Sequence, residues 1–202
     1  MFKNINIRLL IALISMMVLP SLYQTIRVNF LGDLPSDSGI NIASQILWLS
    51  LIYEIAQEAL ILPLFYLFGK SLSNTKEFEN KVQTGFIVIF CFMAFLSAIL
   101  FIYSQNIVIF MEQSEQIIGQ TTQYIRLETI AIMFATLVKY MMVVIISLNK
   151  DKYIYGLLVV QMTLSILLDS VFFGPFEFSL DMGVIGIAWT NIIVNIAILL
   201  AT

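Results

Sequence analysis

The stretch VQTGFIVIFCFMAFLSAILFIY, residues 82–103, carries no charged side chain from end to end. As an α-helix rising about 1.5 Å per residue it measures about 33 Å, enough to cross the roughly 30 Å of bilayer hydrocarbon. Its apolar residues are continuous rather than alternating, which suits a helix and not a barrel strand. On either side of it, further stretches meet the same test at 9–26, 42–68, 124–148, 153–173 and 183–201. The first is slightly short, and the second is long enough to tilt or kink. These stretches predict an all-α polytopic membrane protein, a six-transmembrane-helix bundle that forms a single lobe over residues 1–202.

Composition agrees. The chain is 60% hydrophobic and 11% charged, with a mean hydropathy of +0.96, whereas soluble domains carry about 25% charged residues. Lys3 and Arg8 ahead of the first stretch resemble the start of a signal peptide. No small-x-small cleavage site follows and five more stretches do, so a retained first helix is expected. Cys91 is the only cysteine, which rules out an internal disulfide, and there is no histidine. His-based triads, haem ligation by histidine and most zinc sites are thereby removed. No enzyme activity, no cofactor and no nucleic-acid partner is expected.

The loop charges orient the bundle. The N-terminal segment holds Lys3 and Arg8, the second-to-third connection Lys70, Lys76 and Lys81, and the fourth-to-fifth Lys150 and Lys152. The alternate connections hold Asp33, Asp37, Glu112, Glu115, Glu177 and Asp181, with Arg27 as their only base unless Arg126, at a helix end, is counted. This positive-inside bias places the N-terminus in the cytoplasm of a multi-pass cell-membrane protein. Pro20 and Pro63 fall within spans, where each removes a backbone donor and can bend its helix.

A charge at mid-bilayer costs about 2.5–3.5 kcal/mol and so tends to face a partner or a watery cavity. Glu54, Glu58, Lys139 and Asp169 are the embedded candidates, with Glu128 and Arg126 nearer a membrane face. Glu54 and Glu58 are four apart, on one face of the second span. Tyr124, Glu128, Ala131, Ala135 and Lys139 form one stripe on the fourth, and Ser165 and Asp169 are one turn apart on the fifth. Either Glu54 or Glu58 pairs with Lys139 to fix helix packing, or these groups serve a binding site. Gly183 and Gly186 on the sixth span suit close helix approach.

The stretch TTQYIRLETIAIMF (121–134), and SLNKDKYIYGLLVVQMTLSILLDSVFFGPFEFSLDMGVIGIAWTNIIVNIAILL (147–200) after it, carry a likeness. The YIR opening of the fourth span, the LD followed by an FGPF-like turn and the GVxGxAxT opening of the sixth occur in one order and spacing. Together they resemble the N-terminal half of the multidrug and toxic compound extrusion (MATE) family of transporters. Pro20 is similar to the proline that bends that family's first helix. The resemblance implies one lobe of a twelve-helix antiporter that exports cationic or amphipathic compounds against sodium or protons, with a C-terminal lobe missing from this chain.

By the same resemblance the lobe's ion site falls on Tyr124, Asp169 and Thr190, with Asp169 and Thr190 as candidate Na⁺ ligands. Ser165 stands where the family has an asparagine, and a hydroxyl still offers one oxygen. The family's first-helix aspartate has no convincing counterpart in Asp33 or Asp37. Glu54 and Glu58 are candidates to replace it, and Lys139 is a candidate internal counter-ion for Asp169. A lipid-linked oligosaccharide flippase of the same superfamily and a non-transporting scaffold subunit are the rival expectations. The excess of embedded carboxylates over basic residues favours cation coupling.

Overall fold

A computed structural model describes residues 14, 18, 21–23, 25–27, 30, 38–112 and 114–202. Among the described residues there are helices and turns and no strand: α1 (Ser38–Ser71), α2 (Thr75–Phe110), α3 (Ile118–Ser147), α4 (Asp151–Phe172) and α5 (Val184–Ala201). Each holds a segment long and apolar enough to cross a membrane: Leu49–Ser71, Thr75–Phe110, Ile118–Ser147, Lys152–Phe172 and Val184–Ala201. The chain is thus an all-α polytopic membrane protein. The five helices match the second to sixth expected spans. The described part of the first is also helical, and Pro20 lies outside the described residues.

The helices α1, α2 and α3 begin several residues before the apolar stretches that announce them. α2 starts at Thr75, where the Asn74 side chain accepts a hydrogen bond from the Glu77 amide at 3.3 Å. A side-chain oxygen at this position satisfies one of the donors that a helix start leaves open. The Lys81–Glu77 ion pair at 2.7 Å, one turn apart, then carries the helix through its charged first turns. α1 runs without interruption through Pro63.

The α3 helix is the hub. It packs most extensively against α5 and α2, then against α1, and more lightly against α4. Its share of side chains buried inside the molecule is accordingly the largest, while α1, α2 and α4 keep most of their surface outward. Polar pairs fix the seams. Ser97 on α2 donates to the Thr129 carbonyl at 3.1 Å and sits 3.0 Å from the Tyr53 hydroxyl of α1, so three helices meet there. Tyr140 on α3 donates to the Val82 carbonyl and packs against Phe68 and Phe86. With water excluded, such hydrogen bonds and close packing hold helices together better than apolar contact alone.

The N-terminal stretch has two faces. Ile14, Val18, Leu22 and Ile26, each four apart, are exposed, whereas Tyr23 and Arg27 are buried and Phe30 is half-buried. The inner face docks on the end of α4, with the Phe30 ring edge-on to Phe173 and Phe176 at 6.2 Å.

Candidate functional site

The end of α4 is built by its own backbone. The Asp169 carbonyl accepts from the amides of Phe173 and Gly174 at 3.0 and 2.8 Å, which closes the helix. A Cβ on Gly174 would lie 2.8 Å from the Ser170 Cα, so the turn requires glycine there. The chain then folds back, with the Leu180 amide bonded to the Val171 carbonyl and the Met182 amide to the Phe172 carbonyl. Gly183, at φ +56°, redirects it into α5, and Gly186 lies so close to α4 that a Cβ would meet the Phe172 Cβ at 2.9 Å. The tight junction brings the first turns of α5 against the last turn of α4 and the start of α3.

A polar cluster forms where these elements meet. Asp169 is 1% exposed and grips Arg27 with both oxygens, Nε to Oδ2 at 3.1 Å and Nη2 to Oδ1 at 3.2 Å. The forked geometry is the strong form of this pair. Tyr23, one turn before Arg27, donates its hydroxyl to Asp169 Oδ2 at 2.5 Å and accepts from Arg27 Nη2. The guanidinium also lies over the Tyr23 ring, 4.5 Å from its centre. Ser165 reaches the same hydroxyl from one turn earlier on α4.

Beside this pair sits a second buried carboxyl. Glu128 on α3 accepts through Oε1 from the Asn191 amide of α5 at 2.5 Å, while Oε2 has no hydrogen-bond partner among the described residues. Arg27 and Asp169 both lie within electrostatic reach of Glu128, and the buried Tyr124, one turn before it, is within electrostatic reach of all three. The buried hydroxyls of Thr190 and Thr122 are likewise without a partner among the described residues. Two buried carboxyls therefore lie near one guanidinium, which is paired with Asp169 and not with Glu128. Burial without full pairing is expensive, and such a site gains from one further positive charge.

Of the residues singled out in the sequence, Tyr124, Ser165, Asp169 and Thr190 are all buried, and Tyr124, Ser165 and Asp169 join one electrostatic neighbourhood. Glu54 and Glu58 are not part of it: both are exposed on α1. Lys139 is exposed too, and its ammonium bonds to Gln57 Oε1 at 2.8 Å. The cation beside Asp169 is Arg27 and not Lys139, because α3 carries Lys139 three turns away from Glu128, out toward α1. No ion pair among the described residues joins Lys139 to Glu54 or Glu58.

Tyr23, Arg27, Glu128 and Asn191 are the members that sequence reasoning missed. Arg27 stood as a loop charge, and Glu128 as a group near water. The signal for Arg27 was its spacing of four from Tyr23 and three from Phe30, on the face opposite Ile14, Val18, Leu22 and Ile26. No family model, curated protein or solved structure matches this chain.

Proposed function

We propose that this protein is a six-helix lobe of a cation-coupled efflux antiporter, exchanging Na⁺ or H⁺ for cationic or amphipathic compounds. The observation that carries the reading is the buried cluster in which Asp169 is paired with Arg27 while Glu128, within electrostatic reach of both, has no cation partner of its own among the described residues. An intramembrane carboxylate is costly, and a pair of them around one cation suits reversible binding of another. A scaffold has no need of such a cluster.

The geometry suggests how coupling works. Asp169 is committed to Arg27 and Tyr23, so Glu128, with one oxygen unpartnered, receives the incoming cation. Arg27 is the built-in competitor. It belongs to the N-terminal stretch, which the Asp169 pair and the Phe30 contacts hold against α4. A cation that takes over the carboxyls weakens the hold on Arg27 and releases that stretch, shifting the lobe between two shapes. The shift is limited by how much better the cation binds one shape than the other.

The test is efflux of a cationic dye from cells expressing the full-length gene, this lobe with its C-terminal partner lobe, under imposed sodium or proton gradients. Export driven by one of these gradients, with the dependence lost in Glu128→Gln, is the expected result. Export indifferent to every cation gradient overturns the reading.

A further inference from the structure

Arg126 on α3 stands apart from the Asp169 cluster, in the seam with α2. Its Nε donates to the Ser104 hydroxyl at 2.9 Å, and that hydroxyl gives its own proton to the Phe101 carbonyl at 2.9 Å. Ser104 is buried, so its oxygen is held as an acceptor for the guanidinium. The guanidinium also lies over the Phe101 ring, 5.4 Å from its centre, and Phe101 is exposed on α2, as are Ile102 and Tyr103. Arg126 itself is half-buried. Among the described residues no carboxylate pairs with it, Glu112 and Glu115 of the α2–α3 connection included. A guanidinium donates through Nη1 and Nη2 as well as Nε, and among the described residues only Nε has a partner.

We propose that the Nη groups of Arg126 bind the phosphate of a membrane phospholipid, in the leaflet on the side of the α2–α3 connection. Depth is the first argument. Lys81 and Ser104 flank the uncharged stretch 82–103, which as a helix is about 33 Å long and matches the bilayer hydrocarbon. Ser104 and the guanidinium bonded to it therefore stand at the edge of the hydrocarbon, beside the layer of lipid phosphates. Charge is the second. A cation at this depth calls for a counter-charge, the described residues supply none, and every phospholipid carries one. Shape is the third. Ser104 and the Phe101 ring fix the plane of the guanidinium, which leaves Nη1 and Nη2 as a fork that matches two phosphate oxygens. Phe101 and Ile102, exposed on the mid-bilayer side of Ser104, offer the acyl chains an apolar wall. An arginine that only reached for water would extend along its own helix toward the headgroups. Arg126 reaches across to α2 instead. Lipid binding here is independent of whether the protein transports.

The experiment is native mass spectrometry of the detergent-solubilised protein titrated with phosphatidylglycerol. The basic α1–α2 turn also attracts anionic lipid, so the readout is the lipid that Arg126 alone retains. Wild-type protein is expected to keep one phosphatidylglycerol more than Arg126→Gln does, whose amide can still bond to Ser104. Arg126→Lys, which keeps the charge and loses the fork, holds that lipid at least about tenfold more weakly. Lys139→Gln, which removes an exposed cation elsewhere on α3, retains as much lipid as the wild type. Diacylglycerol with the same chains, which lacks the phosphate, does not take the place, and inorganic phosphate does not displace the lipid. Equal retention by Arg126→Gln or by Arg126→Lys overturns the proposal. So does displacement by inorganic phosphate, which would mean a site for a free anion, or equal retention of diacylglycerol, which would mean that the chains alone are held.

Discussion

Asp169 and Glu128 are both buried carboxyls, yet their neighbours give them opposite responses to the same small change. Asp169 is half of a forked ion pair with Arg27. Asp169→Asn keeps the size but strips the charge, leaving a buried guanidinium alone, and breaking one side of a buried pair costs about 3–5 kcal/mol. Glu128 has no such partner; its Oε1 only accepts from Asn191, and the amide of Gln can accept the same bond. We therefore expect Asp169→Asn and Arg27→Met to lower the denaturant midpoint of the detergent-solubilised protein, followed by loss of helical circular dichroism. Glu128→Gln unfolds at or above the wild-type midpoint. A Glu128→Gln protein as unstable as Asp169→Asn would mean that Glu128 is a paired structural charge. The sequence could not show this contrast, because Arg27 and Asp169 are separated by 142 positions and only the packing of the N-terminal stretch on α4 joins them. Tyr124, Ser165, Asp169 and Thr190, which the resemblance singles out, are all buried.

The elements themselves were largely legible, since continuous apolar runs of this length have few other uses. What the runs could not give was where the helices end. Hydropathy falls at the charged turn 75–81, although the Asn74 cap and the Glu77–Lys81 pair keep it helical. Close approach between elements is equally invisible to composition, and the glycines illustrate it. Gly156 on α4 has nothing within 4 Å of a built Cβ, whereas Gly186 on α5 would drive one to 2.9 Å from the Phe172 Cβ and 3.3 Å from its carbonyl oxygen. Neither neighbour is the free end of a flexible side chain, so α5 must shift. Gly186→Ala is expected to destabilise the protein by about 1–3 kcal/mol, the range for overpacking. Gly156→Ala is expected to stabilise it by up to about 1 kcal/mol, through helix propensity alone. Thermal unfolding of both variants in the same detergent checks the pair, and a harmless Gly186→Ala would show that the α4–α5 junction is looser than these distances.

For the whole molecule, the places that Arg27 and Arg126 take inside the bundle bear on which side faces the cytoplasm. Arg27 was the only base assigned to connections otherwise rich in Asp and Glu. Inside the cluster it is bound to Asp169, so it no longer counts among the charges that meet water. Arg126, the other candidate, points into the bundle and bonds to the Ser104 hydroxyl at 2.9 Å. The basic residues left to the loops then fall on one side, with Lys76 and Lys81 at the start of α2 and Lys150 and Lys152 between α3 and α4. Retention of Lys and Arg on the cytoplasmic side predicts that the α1–α2 turn is inside and the α2–α3 connection outside. The check is cysteine labelling in intact cells with Cys91→Ser as background. Ser114→Cys, between α2 and α3, should react with a membrane-impermeant maleimide. Ser73→Cys, in the α1–α2 turn, should react only after the cells are opened. The reverse pattern would invert the molecule. It would also put the Asp169–Glu128 cluster, which lies at the end of the bundle where α3 starts and α4 finishes, beside the cytoplasm. An exporter of the proposed kind loads its coupling cation from outside, so the same labelling result tests whether the cluster sits at the membrane face where that cation arrives.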